Sequence, residues 1–411
     1  MAAPMVVPSS VLGANAPSNR ITVGVIGIGK QGNFHWDILL RRDDVQVVAG
    51  CDVESKRLKK ARTRAEEKYG KGSVDTYRDF RQCIGRDDID AILMAPPDHW
   101  HAIIAIEALV AGKDVYCEKP LTLTINEGRA IVNAAERYGR IFQTGSQQRS
   151  GYGGRFRFAC EMVRSGRIGE VKTVHVNVGG PSEVCFLPAE TPPKTLDWDR
   201  WLGPAPRRPY HSILCPDHTR SFPNWRNYRA YSGGGMTDWG AHHFDIAQWG
   251  LGMDDSGPVE IIPPGDGVEL LTYRYANGVT MTHGGGPWGN GVEFVGTEGS
   301  VRVNRGTLET VPSDLMSKPI GPDEVHLYNS RSHHENWLEC IRSRREPICP
   351  AEVGHRTVTV CHLGNIAYWT GERFRWDPEK EEVVGNSEAA RWLTRPHREP
   401  WVLPDRGKRS I

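Results

Sequence analysis

Short apolar runs alternate with amphipathic stretches through the first third of the chain. Residues 21–26, 45–51, 91–94, 115–117 and 141–144 read as buried strands. Residues 58–69 and 101–111 carry apolar positions at helical spacing, and Ser55 stands where an N-cap would precede the first of them. Continuously apolar strands separated by helices predict a parallel sheet covered on both faces.

After residue 150 the period changes. Residues 171–178 alternate apolar and polar side chains, as do parts of 268–275 and 279–283, and Asn277-Gly278 joins the last two as a two-residue hairpin turn. This predicts a mostly antiparallel sheet with one face solvated or covered by a partner. Residues 181–232 are rich in Pro, Trp, Tyr and Arg and show little periodicity, the mark of a segment that is functional or wraps a neighbour. Helical patterns return at 334–344 and 356–368. Three stretches follow: a tail at 1–19, a first domain at 20–147 and a second at 148–411.

Composition narrows the class. At 411 residues the chain exceeds one ordinary core. It is 38% hydrophobic and 25% charged, with 51 basic and 50 acidic residues and a net charge of +1. Near-neutrality gives no support for nucleic-acid or acidic-membrane binding, and no stretch reaches the ~20 apolar residues of a membrane span. The nine cysteines are scattered with no C-x-x-C pair, so no disulfide framework is expected, and Cys51 and Cys117 sit in apolar runs as small core residues. Residues 2–8 are mildly apolar, and Ala14-Asn15-Ala16 fits a small-x-small cleavage site. The stretch is similar to the back half of a twin-arginine export signal, which places the protein in the periplasm; a floppy tail on a cytoplasmic protein is the alternative.

Gly27-x-Gly29-x-x-Gly32 follows a strand and opens a helix pattern, with Lys30 and Gln31 inside the turn. Such glycines allow a tight turn and close approach of a pyrophosphate to the helix N-terminus. Asp52 ends the second strand, where a carboxylate binds a ribose 2′-hydroxyl and repels a 2′-phosphate. NAD is therefore favoured over NADP, although Lys56 and Arg57 lie nearby. The loop from Ala95 through Pro96 to His101 follows the strand at 91–94, at the edge where ligands bind. His99 and His101 are candidates for the nicotinamide pocket and, equally, for capping the next helix.

Cys117-Glu118-Lys119-Pro120 ends another strand at the same edge. A partly desolvated lysine beside a cationic nicotinamide would have a lowered pKa and would polarise a reacting hydroxyl or carbonyl. Glu118 is placed to hold that lysine or a cofactor ribose. Asp238 and His242, four apart behind Gly233-Gly234-Gly235, would share one helix face. The histidine suits a general base near neutrality; a buried His behind an ordinary helix N-terminus is the competing reading. His243 and Asp245 are weaker candidates. No Cys/His spacing suits a structural zinc, so no metal is expected. The Trp-rich stretches at 198–201 and 225–239 fit sugar-stacking walls or plain core.

These residues resemble the Gfo/Idh/MocA family, named for glucose–fructose oxidoreductase and inositol dehydrogenase. The markers are Gly27 to Gly32, Cys117 to Pro120, and Gly233 through Asp245. The resemblance implies an α/β protein: an N-terminal Rossmann parallel sheet, then a C-terminal α/β domain with a large open sheet that commonly forms a homodimer or homotetramer. It implies that Lys119, Asp238 and His242 are catalytic. It places Gln148 near the nicotinamide and Arg149 and His243 with the substrate. The leader resembles that of a secreted bacterial subgroup.

Two activities are expected from this set. One is an NAD-dependent dehydrogenase acting on a hydroxyl of a sugar or polyol, with His242 taking the proton and Lys119 stabilising the oxyanion. The other is an NAD-dependent glycoside hydrolase working through a transient 3-keto intermediate, elimination, water addition and hydride return. Export favours the second, and the intact Glu118-Lys119-Pro120 favours the first. A non-catalytic NAD-binding protein is the third class, and the lysine–aspartate–histidine set argues against it.

Overall fold

In the computed structural model, which describes residues 19–286 and 288–404, two sheets organise the chain. The export-like leader at 2–16 and the basic tail at 406–409 lie outside the described residues.

The first sheet comprises β1 (Ile21–Ile26), β2 (Val45–Cys51), β3 (Asp75–Tyr77), β4 (Ala91–Met94), β5 (Asp114–Cys117) and β6 (Phe142–Thr144). All its pairings are parallel and the order is β3-β2-β1-β4-β5-β6. Every residue of β4 and β5 is buried, because helices cover both faces. The order reverses between β1 and β4, so a crevice opens at their carboxyl ends. The helix Ile125–Tyr138 shows how local chemistry sets boundaries. Thr124 accepts from the Glu127 amide while the Glu127 carboxylate accepts from Thr124, a capping box, and Gly139 closes the other end in the left-handed region. The helix after β2 starts one residue earlier in its cap than the sequence suggests: Glu54, not Ser55, caps Ser55–Tyr69 by accepting from the Arg57 amide.

The second sheet comprises β7 (Val171–Asn177), β8 (Glu260–Ile262), β9 (Thr272–Arg274), β10 (Thr280–His283), β11 (Gly291–Gly296), β12 (Ser300–Val303), β13 (Leu308–Val311), β14 (Phe374–Asp377) and β15 (Glu382–Val384). Its order is β13-β12-β11-β7-β10-β9-β8-β14-β15, and only β7 with β10 is parallel. A hairpin joins β9 to β10 at the expected place, but its loop has three residues, Ala276-Asn277-Gly278, instead of two: Tyr275 donates to the Val279 carbonyl, and Gly278 takes the left-handed position (φ +84°). One face packs on the helices Arg155–Arg164, Gly240–Leu251 and Ala351–Thr370 through Val174, Phe244, Met281 and Phe294. The other carries Thr173, His175, Asn177 and Glu293, which are only partly covered.

Among the contacts that tie the halves together are two at their periphery. Arg129 forks onto Glu352 (2.7 and 2.8 Å) and Glu381 (2.6 and 2.8 Å), joining the helix Ile125–Tyr138 to the far end of the chain. The aperiodic stretch 181–232 folds on its own cluster of Trp201, Tyr210, Leu214, Trp225 and Tyr231 and straps onto the first domain. The neighbour it wraps is the loop after β2: Ser55 donates to the Thr195 carbonyl, Asp197 to the Val53 carbonyl, and Lys56 pairs with Asp217 at 2.8 Å.

Candidate functional site

The turn after β1 has the shape of a nucleotide cradle. Gly27 is left-handed (φ +81°), and a Cβ on Gly32 would meet the Gly27 carbonyl oxygen at 1.9 Å, so both must be glycine. Above Gly29 the nearest atom a Cβ would meet is an Arg57 nitrogen at 4.0 Å, which leaves the N-terminus of the helix Lys30–Leu40 open to an anion. Asp52 is buried at the end of β2. Its Oδ2 accepts from the Ile28 amide (2.7 Å) and its Oδ1 from the Glu54 amide (2.9 Å), with Arg57 3.8 Å away. Burial pushes its pKa up. Each oxygen keeps a lone pair for a ribose hydroxyl. The groove runs from this turn past Pro96 and Trp100 to the strap residues Trp201, Leu214 and Trp225. An open pyrophosphate turn, a ribose acceptor and a long apolar groove fit NAD.

The histidines of the next loop have other work. His99 is buried between Trp201 and Tyr231, and its Nε2 meets the Trp201 carbonyl at 3.0 Å. His101 is wedged between the carbonyls of Pro96 (3.0 Å) and Pro120 (2.9 Å), which ties this loop to the Lys119 turn. Burial lowers both pKa values, that of His99 to about 3. Neither ring lines the groove; Trp100, between them, does.

Glu118 is fully engaged. Its Oε1 accepts from Gln31 (3.0 Å) and Gln147 (3.0 Å) and meets His35 Nε2 at 2.8 Å, while Oε2 accepts from the Lys119 amide (3.0 Å). Burial alone would raise its pKa, but His35 and Lys119 hold it down at about 2. His35 in turn meets His334 at 2.7 Å. Glu118 therefore anchors the Lys119 backbone and leaves the amine free to reach across.

That amine crosses to the second domain. Lys119 Nζ donates to Asp238 Oδ1 (2.6 Å) and to the Asp238 carbonyl (2.9 Å), and Arg226 lies 3.5 Å from the same carboxylate. Burial would raise the Asp238 pKa, and the two cations hold it below the usual range. Asp238 reaches this position through the glycine triplet: a Cβ on Gly235 would meet Gly179 Cα at 2.5 Å, so the chain at 179–181 crosses there, and no substrate does. The helix breaks after Gly235–Asp238 and resumes as Gly240–Leu251, carrying His242, and the Asp238 carbonyl at the break accepts from Lys119. His242 is 8% exposed, and its Nδ1 has no partner. Burial, then the charges of Lys119 and Arg305, hold its pKa well below 6.5, so the neutral, proton-accepting form prevails.

The remaining candidates divide. Gln148 donates to the His242 carbonyl (3.0 Å) and accepts from Arg305 (2.9 Å), so it supports the histidine's turn. Arg149 does not face a substrate. Its side chain is 1% exposed and forks onto Asp245 and Asp254 at 2.7 to 3.0 Å. Nor does His243, whose fully buried ring stacks parallel to Trp239 and whose pKa burial lowers to about 3.

Sequence reasoning passed over Arg226, Arg305 and Asp98. Arg226 sits in the short 3-10 turn Asn224–Asn227 and Arg305 in the turn after Val303, and nothing in the spacing marks either. Asp98 is buried and accepts from Ser232 at 2.6 Å, docking the glycine triplet, and burial pushes its pKa up to about 7. Its position beside His99 was the one available signal.

Comparison with known proteins bears out the two-domain fold. Residues 21–146 match the oxidoreductase-family NAD-binding Rossmann fold, and residues 182–403 match the same family's C-terminal alpha/beta domain. The chain is 31% identical over 193 residues to an alpha-N-acetylgalactosaminidase of Shewanella oneidensis, covering 46% of this chain and 41% of that one. It thus spans less than half the length of the curated relatives it matches. Among solved structures, the WlbA dehydrogenase of Bordetella pertussis, in complex with NADH and UDP-GlcNAcA, superposes with a TM-score of 0.60 at 18% identity, covering 87% of this chain and 99% of that one. The aldose-aldose oxidoreductase of Caulobacter crescentus, complexed with glycerol, gives 0.59 at 20% identity over the same shares. With both domains matched in order, the chain belongs to the Gfo/Idh/MocA family of oxidoreductases.

Proposed function

We propose that the protein uses NAD to oxidise a hydroxyl of a sugar, polyol or glycoside. The observation that carries this reading is the Lys119–Asp238 contact, joined to the nucleotide groove through its lining residue Arg226, with the neutral His242 ring four residues on. Bound NAD would supply the acceptor for the hydride leaving the carbinol carbon. His242 takes the hydroxyl proton at a ring nitrogen. Lys119, swinging from Asp238, donates to the substrate oxygen and stabilises the charge that develops there. Asp238 positions the lysine through their 2.6 Å contact and accepts from a neighbouring hydroxyl. Asp52 supports NAD over NADP, because a 2′-phosphate would meet its carboxylate.

A second reading keeps the cofactor bound through the cycle and cleaves a glycoside by transient oxidation at C3, elimination and return of the hydride. Two observations favour it. One is the similarity to a glycosidase. The other is the strap at 195–217, which closes over the outer end of the groove and would slow release of a reduced nucleotide.

One assay separates the two. Absorbance at 340 nm is followed with NAD or NADP and a panel of sugars, polyols and aryl glycosides, with aglycone measured in the same wells. Steady reduction of NAD without aglycone is the expected result for the dehydrogenase. Aglycone without net reduction selects the hydrolase, and neither signal removes both. Faster reduction of NADP than NAD would overturn the reading of Asp52.

A further inference from the structure

This inference rests on the reading of the Lys119–Asp238–His242 cleft as a sugar-oxidising site and concerns what else the substrate carries. The carboxylates around the cleft are already engaged: Glu118 is taken by His35, Gln31, Gln147 and the Lys119 amide. Lys119 and Arg226 share the single carboxylate of Asp238. The nearby Asp98 carboxyl is fully buried and already bonded to Ser232.

Arg305, in the turn between β12 and β13, adds a third cation. Its guanidinium lies over the ring of Trp239 at 4.7 Å and over that of Tyr152 at 5.1 Å. Its Nε donates to Gln148 Oε1 at 2.9 Å. Gln148 also donates to the His242 carbonyl at 3.0 Å, so Arg305, Gln148 and the turn bearing His242 form one connected unit. Arg155 donates to the Arg305 carbonyl at 2.7 Å and fixes the loop from below. Among the described residues no carboxylate pairs with Arg305.

A guanidinium held by its face on aromatic rings keeps both terminal nitrogens at its edge. That edge matches a planar carboxylate, two N–H groups to two oxygens. Stacking and the Gln148 bond fix the group before a ligand arrives, so little side-chain freedom is lost on binding. The nucleotide cannot be the intended anion, because its phosphates belong at the Gly27–Gly32 turn in the other domain.

We propose that Arg305 recognises a carboxylate on the substrate, which makes the preferred substrate class an acidic sugar: a hexuronic acid or its glycoside. Arg305 acts here as a specificity residue and takes no part in bond making.

The test uses the NAD-loaded protein and its Arg305→Gln variant. D-glucuronate, D-galacturonate, D-glucose, D-galactose and glucose 6-phosphate are titrated by calorimetry, and turnover is followed at 340 nm. Uronates should bind at least about ten-fold more tightly than the neutral sugars, and Arg305→Gln should weaken uronate binding by about 10–100-fold while leaving neutral sugars near their starting affinity. Unchanged neutral-sugar binding also shows that the variant is folded. Equal binding of both classes, an equal loss for both in the variant, or tighter binding of glucose 6-phosphate than of either uronate would overturn the proposal. Uronate binding that depends on Arg305 without any redox or cleavage product would support it and defeat the sugar-oxidising reading instead.

Discussion

Replacing His242 by Asn should lower kcat by about two to four orders of magnitude while leaving NAD affinity near that of the parent. The variant isolates the proton-accepting nitrogen. The hydrogen bond from Gln148 goes to the His242 backbone carbonyl and survives the change. The ring Nδ1 has no partner to lose. His242 does not line the nucleotide groove, so calorimetric titration with NAD should be unaffected. The pH profile supplies the second readout. Burial, reinforced by Lys119 and Arg305, places the His242 pKa well below 6.5. A base works in its neutral form, so activity is present above that pKa and lost as pH falls through it. The acid limb of kcat/KM should therefore lie below pH 6.5, with a plateau through neutrality, and it should vanish in the Asn variant. An acid limb at or above 6.5, or an Asn variant of near-parent activity, would remove His242 from this role.

The parts of the fold that could be read from sequence are those in which one physical demand dominates. β1, β2 and β4 are buried on both faces over most of their length, so they are apolar runs broken by a polar residue only at Thr22 and Gln46, and the hairpin before β10 needs a glycine at Gly278, which is left-handed. β3, β8 and β15 are three residues each, too short for a period to register. The helix Ala351–Thr370 begins five residues before its pattern does. It is buried around nearly its whole circumference, including Arg356, Thr357, His362 and Asn365, so no polar face outlines it. The strand at β5 and the glycine triplet marked where Lys119 and Asp238 would lie, but sequence spacing has no bearing on partners that meet across the fold. His35 finds His334 only because two domains close on each other, and Arg305 finds Gln148 across 157 positions of one domain. A histidine or arginine near an expected ligand edge also says nothing about burial, and burial is what removed His99, His101 and His243 from the cleft.

Arg149 is the plainest example, and substituting it should produce the largest loss of stability. Arg149→Met should lower the unfolding free energy by about 3–5 kcal/mol, because it strips the partner from a buried charge. The guanidinium is held by Asp245, which is fully buried, and by Asp254, which is partly exposed, and it lies 4.9 Å from the Trp249 ring. Met fills similar volume, so the loss reflects charge more than a cavity. Asp254 can turn to water. Asp245 cannot: Thr357 is its other side-chain donor, and burial already pushes its pKa up. Without Arg149 that pKa rises further above the unfolded value. A carboxyl whose folded pKa is raised binds more protons folded than unfolded, so its contribution to stability falls as pH rises from the unfolded pKa toward the folded one. The deficit of the variant should therefore be smaller at acid pH and full near neutrality. Urea unfolding at several pH values measures this directly, and KM for the sugar, taken well below the melting temperature, separates the two roles of the residue. An internal ion pair predicts a pH-dependent drop in stability with KM close to the parent's. A large rise in KM at unchanged stability would instead return Arg149 to the substrate.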